Sequence, residues 1–202
     1  MRGNKGFTLV EMAIVLVIIG IILGAVIKGQ DLIAGAKEKK FKAEVDQLAT
    51  SYYTYYDKYS RIPGDDNKAD RWTGATKGNN DGLINSNGSP AVDETDPAKG
   101  ALDHLRRAGL LLDQPGGGAD NTAFVSSTPG VTINFGSGTA ANWGSATNLI
   151  IVTNLPAEDM LAFDTKYDNG VSNTGKVRGV LAAGTLETTY TTGTSLLAYS
   201  VK

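Results

Sequence analysis

The chain has 202 residues and no cysteine, and its 19 Lys and Arg stand against 21 Asp and Glu, a net charge of -2. The missing cysteine excludes a disulfide scaffold, a zinc ribbon and a thiol nucleophile. Residues 63–202 carry ten basic and fifteen acidic side chains, and such an acidic surface repels a phosphate backbone. We therefore expect no general nucleic-acid binding by this part of the chain.

An apolar run follows a short basic segment that contains Arg2 and Lys5. Only four of the 21 residues from Phe7 to Ile27 fall outside the apolar set. In a helix these residues span about 31 Å, the thickness of the hydrocarbon core of a bilayer. The run contains fourteen Leu, Ile, Val and Phe residues. Together they supply on the order of -6 kcal/mol of insertion free energy, enough to tolerate Glu11.

Three interpretations fit this segment. A secretory signal would be cut after Ala34-Gly35-Ala36, although its apolar stretch would be longer than such signals usually have. An uncleaved membrane anchor needs no cleavage site. The third interpretation rests on Gly6-Phe7-Thr8-Leu9-Val10-Glu11, which resembles the processing site of type IV prepilins and of the related pseudopilins of type II secretion systems.

The resemblance implies a processing and assembly route. A prepilin peptidase would remove a leader, residues 1–6, by cutting between Gly6 and Phe7, and would then N-methylate Phe7. Glycine at the cut allows the enzyme a close approach. Glu11 would serve filament assembly by pairing with the new amino terminus of a neighbouring subunit, because a buried carboxylate is costly without a cation. The alternative is that Glu11 snorkels toward lipid headgroups.

Helical periodicity continues beyond the apolar run. Apolar side chains recur at steps of three and four residues, at Phe41, Val45, Leu48, Tyr52, Tyr55 or Tyr56, and Tyr59. This spacing predicts one buried helical face, and Pro63-Gly64 predicts the end of the helix. We expect residues 7–27 to form a transmembrane and filament-core part and residues 28–62 an amphipathic part. The tyrosines then seal the helix against the head, and an electron-conducting aromatic array is the alternative.

Residues 63–202 are expected to form a globular head, so that the whole chain is α+β, a long helix packed on a mostly antiparallel sheet. Residues 63–97 have the composition of a loop. Helices are predicted from Asp96-Pro97 to Leu112, with Leu102, Leu105 and Gly109 toward the core, and from Pro156 onward. The predicted strands are Thr122–Ser126, Val131–Phe135, Leu149–Thr153, Val177–Ala182, Leu186–Thr192 and Ser195–Val201.

We predict no catalytic residue, no cofactor and no metal ligand set. His104 is the only histidine and cannot form a multi-histidine site. The loop at residues 77–82 resembles a calcium loop but fails the EF-hand pattern at both ends. For the late loop, residues 164–170, calcium is an alternative to Asx turns closed by glycine.

Together with these features, the resemblance implies a structural subunit and not an enzyme. It would cross the inner membrane with a cytoplasmic N-terminus and a periplasmic head. It would then polymerise with identical or related subunits, through an assembly platform, into a type IV pilus or a type II secretion pseudopilus. The alternative is a minor pilin at the filament tip that binds a surface or DNA, although the acidic head argues against DNA.

Overall fold

The computed structural model describes most of the chain, namely residues 7–73, 75, 77–84, 100–112, 123–138, 143–181, 186–191 and 195–201. The chain divides into two compact units, residues 1–39 and 40–202. Helix α1, Leu9–Tyr59, contributes to both units and has 51 residues. The predicted long helix is therefore confirmed.

In the first unit α1 is apolar on almost all sides as far as Ile27. Its large apolar side chains from Leu9 to Ile27 are between 45% and 86% exposed. The helix includes a stretch that is long and apolar enough to cross a membrane, and none of that stretch is buried within the chain. A helix that is apolar all round needs lipid or other protein around it.

The second unit is built on an antiparallel sheet of five strands. These are β1, Phe124–Val125; β2, Thr132–Gly138; β3, Thr147–Thr153; β4, Val177–Leu181; and β5, Ser195–Ser200. Their order across the sheet is β1-β2-β3-β5-β4, and every neighbouring pair is antiparallel. The central strand β3 is buried from Thr147 to Val152, which explains why its sequence is an apolar run without alternation.

The C-terminal part of α1 packs against one face of this sheet. Its buried side chains are Phe41, Val45, Leu48, Tyr52 and Tyr55, the face that the periodicity predicts. They share a core with Ile150 and Val152 of β3, and the rings of Tyr52 and Phe135 stack with their centroids 6.0 Å apart. Tyr56, the alternative to Tyr55, is 50% exposed.

Two shorter helices cover the same core, α2, Ala101–Arg107, and α3, Ala157–Tyr167. Helix α3 begins directly after Pro156, as predicted. Helix α2 is shorter than predicted, because Gly109 adopts a φ of 72° and Leu110 N–H bonds back to the Leu105 carbonyl. Gly109 is exposed and does not face the core, while Asp96 and Pro97 lie outside the described residues.

One strand prediction is wrong within the described residues 186–191. Leu186 forms an isolated bridge with Val180, and no strand follows it there. The Ser172 hydroxyl donates to the Glu187 carbonyl at 2.9 Å. This carbonyl is therefore bonded to a side chain and is not the acceptor of a backbone bond that would extend the strand.

A buried polar cluster joins the end of α1 to the loop that follows. The Tyr55 hydroxyl donates to Asp66 Oδ2 at 2.6 Å, and Arg71 forms an ion pair with the same oxygen. The backbone N–H of Lys68 donates to Asp66 Oδ1 at 2.7 Å. The Asp66 side chain is fully buried, and its charge is stabilised because both oxygens have partners.

Burial, followed by the hydrogen bond to Asp66, raises the pKa of Tyr55 well above its usual value. The pKa of Tyr190 is raised in the same way by burial and by Asp164, and that of Tyr52 by burial. The folded state therefore favours the protonated form of all three side chains.

We expect an alkaline loss of stability. A tyrosine whose pKa rises on folding stabilises the fold fully below its unfolded pKa, and this contribution is lost as the pH rises toward the folded value. The free energy of unfolding should therefore start to fall at about pH 10, by up to about 1.4 kcal/mol per pH unit for each such tyrosine. Trp72 and Trp143 fluorescence of the full chain in mild detergent would follow the unfolding.

Tyr55→Phe should reduce this pH slope by one tyrosine's share, and Tyr56→Phe, which changes an exposed ring, is the matched control. Equal alkaline slopes in the wild type and both variants would contradict the assignment of the slope to buried tyrosines.

Candidate functional site

A reciprocal set of hydrogen bonds fixes the start of α1. The Thr8 hydroxyl accepts a bond from Glu11 N–H at 3.2 Å. Glu11 Oε2 accepts bonds from Thr8 N–H at 2.8 Å and from the Thr8 hydroxyl at 2.7 Å. This is a capping box, in which the side chains at the N-cap and three residues later satisfy free N–H groups at the helix start.

Thr8 is a residue of this site that the sequence reasoning missed. The sequence does contain a signal for Thr8, because Thr-x-x-Glu before an apolar run is the sequence signature of a capping box. Phe7, the predicted methylation residue, is 79% exposed and precedes the helix. Gly6, on the other side of the predicted cut, lies outside the described residues.

The capping box holds the Glu11 carboxylate in a defined position. Both Thr8 donors bind Oε2, so Oε1 is not part of the box, and a carboxylate oxygen has lone pairs for a further donor. A negative charge in the first turn also interacts favourably with the positive end of the helix dipole. The arrangement can therefore present one carboxylate oxygen to a cation while the helix start stays intact.

His104 has a structural position. It is buried in α2, and its Nδ1 accepts the Gly64 N–H at 2.8 Å, which ties α2 to the turn after α1. Within the described residues, no group of three or more His, Asp and Glu side chains is placed to hold a metal ion. The structure thus assigns His104 to packing.

The late loop is closed by hydrogen bonds to its own carboxylates. Asp164 is buried, and its two oxygens accept the Gly170 N–H at 3.2 Å and the Tyr190 hydroxyl at 2.9 Å. Asp168 Oδ2 accepts the Val177 N–H at 2.9 Å. These bonds connect the end of α3 to β4, and glycine supplies the positive φ at residue 170.

A groove of about 340 Å³ opens in the second unit between α1, the loop at residues 78–84 and the ends of β3 and β5. We call it the tyrosine groove and define it by Tyr52, Tyr53, Tyr56, Leu83, Asn148 and Val201. Tyr53 and Tyr56 are 44% and 50% exposed, and Tyr52 is buried at the base. The lining is thus aromatic and aliphatic with an amide at one side.

Two buried polar side chains hold the loop wall of the groove in place. The Asp65 carboxylate accepts the N–H groups of Asn80 at 2.6 Å and Gly82 at 2.7 Å. Asn148 accepts the Ile84 N–H at 2.9 Å and donates to the Tyr52 hydroxyl at 3.0 Å and the Gly82 carbonyl at 3.1 Å. The loop is therefore fastened both to the turn after α1 and to β3.

We expect Asn148→Ala to loosen this loop. The substitution removes three hydrogen bonds and leaves the Ile84 N–H without its acceptor, which should lower the free energy of unfolding by about 2 kcal/mol. Limited proteolysis of the full chain in mild detergent should then cut residues 78–84 faster than in the wild type.

Asn79→Ala is the matched control, because its amide donates to Asp81 within the same exposed turn. It should change the free energy of unfolding by less than about 0.5 kcal/mol. Similar proteolysis rates for both variants would show that Asn148 does not hold the loop.

Comparison with known proteins gives two matches. A family profile described as the prokaryotic N-terminal methylation motif matches residues 1–27. The chain is also 32% identical over 140 residues to the type IV major fimbrial protein FimA of Dichelobacter nodosus, an alignment that covers 68% of this chain and 74% of that protein. Since α1 has only 51 residues, this similarity extends beyond the helix. No solved structure matches the chain.

Proposed function

The chain belongs to the type IV pilin-like family, and from this membership we propose that it is a structural subunit of a type IV pilus or of a type II secretion pseudopilus. Subunits of this family assemble into filaments, and the methylation motif is a substrate of prepilin peptidase. The observation that carries the proposal is the match of this motif to residues 1–27, at the start of a helix whose membrane-length apolar stretch is not buried within the described chain.

Processing follows from the position of the motif. Prepilin peptidase cuts between Gly6 and Phe7, removes the leader at residues 1–6, and methylates the new terminus at Phe7. Phe7 and Thr8 are exposed and precede α1, which begins at Leu9, and this supports access by the peptidase to the bond before Phe7. The chain is the substrate of this chemistry and has no enzymatic role of its own.

The covering of α1 changes during assembly. Residues 7–27 stand in the inner membrane first, with the N-terminus in the cytoplasm and the head, residues 63–202, in the periplasm. In the filament, helices of other subunits replace the lipid around this part, while the amphipathic part, residues 28–62, carries the head. Lipid tails and neighbouring apolar helices are similarly apolar surroundings for these side chains. Moving them from lipid into the filament therefore changes their hydrophobic free energy little.

Glu11 supplies the charge that favours the filament. In the lipid-exposed helix its carboxylate is bonded, among the described residues, to Thr8, and both bonds are on Oε2. The ammonium of a processed Phe7 on a neighbouring subunit provides a cation for Oε1. This pairing offsets part of the desolvation penalty of an isolated charge in an apolar surrounding.

A relative of this chain is named a major fimbrial protein, which favours an abundant pilus subunit over a minor pilin at the tip. The head also offers no support for DNA binding, because residues 63–202 carry fifteen acidic and ten basic side chains.

The proposal predicts the N-terminus of the mature protein. Mass analysis of subunits sheared from native cells should find a chain that begins at Phe7 and carries one added methyl group. Gly6→Leu should block the cut, because a bulky side chain hinders approach to the scissile bond. Gly3→Leu, in the same leader but away from the cut, is the control and should be processed normally.

A terminus at Met1, or at Lys37 as a secretory signal would leave it, would contradict this function. The same sheared filaments give the stoichiometry. If the subunit occurs at only a few copies per filament, the tip position is correct and the shaft position is wrong.

Glu11 has two roles that variants can separate. Glu11→Gln retains the capping box, since glutamine serves at this position, but removes the charge. Glu11→Ala removes both. We expect both variants to be cut after Gly6 and to yield at least about tenfold fewer filaments by shearing and immunoblot, as loss of a buried ion pair predicts.

Thr8→Ala is the complementary control, because it weakens the cap and keeps the charge. Normal filament yield from Glu11→Gln together with poor yield from Thr8→Ala would assign Glu11 to helix capping instead of subunit pairing.

A further inference from the structure

A second apolar surface lies on α1 beyond the membrane-length run. Gly29, Leu32, Ile33 and Ala36 follow each other at steps of three, one and three residues, which places them within one narrow face of the helix. We call this face the neck stripe. Leu32 and Ile33 are 66% and 58% exposed, so nothing within the described chain covers them.

Lipid does not account for the neck stripe. The run that matches the bilayer core ends at Ile27, and the polar residues Lys28, Gln30 and Asp31 follow. Leu32 comes five residues after Ile27, which is about 8 Å farther along a helix. An exposed apolar face at this position indicates contact with protein.

The tyrosine groove has the complementary shape and chemistry. It is concave and mostly apolar, and the exposed rings of Tyr53 and Tyr56 form one wall. Its volume of about 340 Å³ is at the small end of ligand pockets, so it suits one or two aliphatic side chains. Gly29 and Ala36 beside Leu32 and Ile33 leave room for close approach to the helix.

The charges around the two surfaces are also complementary. Exposed Lys28, Lys37 and Lys39 border the neck stripe. Asp57, one residue after Tyr56, and Asp81, two residues before Leu83, are exposed beside the groove. Opposite charges at the rim of an apolar contact contribute little free energy but favour one orientation of the partners.

We propose that the tyrosine groove of one subunit receives Leu32 and Ile33 of a second copy of this chain. A helical filament needs a heterologous contact, in which two different patches of the same chain meet and each subunit uses both. The groove and the neck stripe are such a pair. This contact rests on the proposed polymerisation and adds a specific head-to-helix interface to it.

The absence of cysteine from the chain allows a direct test. Chains with Ile33→Cys alone and with Tyr56→Cys alone are coexpressed with an excess of the wild type, so that both enter filaments as minority subunits. After mild oxidation of sheared filaments, peptide mass analysis should find a disulfide that joins positions 33 and 56. The control pair is Ile33→Cys with Leu161→Cys, since Leu161 is an exposed residue of α3 outside the groove.

The pair at positions 33 and 56 should give at least about tenfold more disulfide than the control pair, because a disulfide requires Cα atoms within about 7 Å. Unassembled subunits in the membrane should give no excess. Equal yields for the two pairs, or filaments that contain both variants without the link, would overturn the interface and leave the proposed function intact. If the wild type forms no filaments, both proposals are wrong.

Hydroxyl-radical footprinting of wild-type filaments tests the same contact between groove and neck stripe without any substitution. Tyr56, Leu32 and Ile33 should all be protected in filaments relative to detergent-solubilised subunits, while Leu161 stays reactive. Protection of Tyr56 already in the solubilised subunit would show that another ligand fills the groove. Unchanged reactivity of Tyr56 in filaments would show that the groove stays open, and either result overturns the proposal.

Discussion

The structure depends on one constraint, an apolar stretch of α1 that the described part of the chain does not cover. From Leu9 to Ile27 the large apolar side chains of α1 are exposed, and burying them is worth about 25 cal/mol for each Å². The free energy is available only from lipid or from other subunits, so the isolated chain in water is an incomplete state. The methylation motif at residues 1–27 fits this constraint, because a pilin subunit has a membrane-anchored helix that enters a filament on assembly.

The start of this helix combines two requirements that would otherwise conflict. A helix N-terminus in an apolar surrounding has free N–H groups that need acceptors, whereas the proposed contact between subunits needs a charge that can pair with a cation. Glu11 meets the first need through Oε2, which binds Thr8, and in the proposed assembly Oε1 serves the second. Because the cap fixes the side-chain position, less conformational entropy is lost when a neighbouring ammonium binds.

Local patterns in the sequence predict the helices and most strands. Contacts between residues far apart in the sequence determine the tyrosine groove and the end of the sheet near Leu186. Periodicity identified the buried face from Phe41 to Tyr55, and Pro156 marked the start of α3. The capping box of Thr8 and Glu11 was equally visible as a spacing. The tyrosine groove was not predictable, because Tyr52 and its partner Asn148 are 96 positions apart. The strand expected after Leu186 failed for the same reason, since Ser172 binds the Glu187 carbonyl.

The head has no disulfide, so buried polar contacts must fix its loops. Asp66 binds Tyr55 and Arg71, Asp65 binds the loop at residues 78–84, and Asn148 fastens that loop to β3. Each side chain is nearly or completely buried, where hydrogen bonds are stronger than in water and unpaired groups are costly. Because the contacts of Asp65 and Asn148 also set the wall of the tyrosine groove, interactions that stabilise the head also determine the shape of the surface that we propose for contact with another subunit.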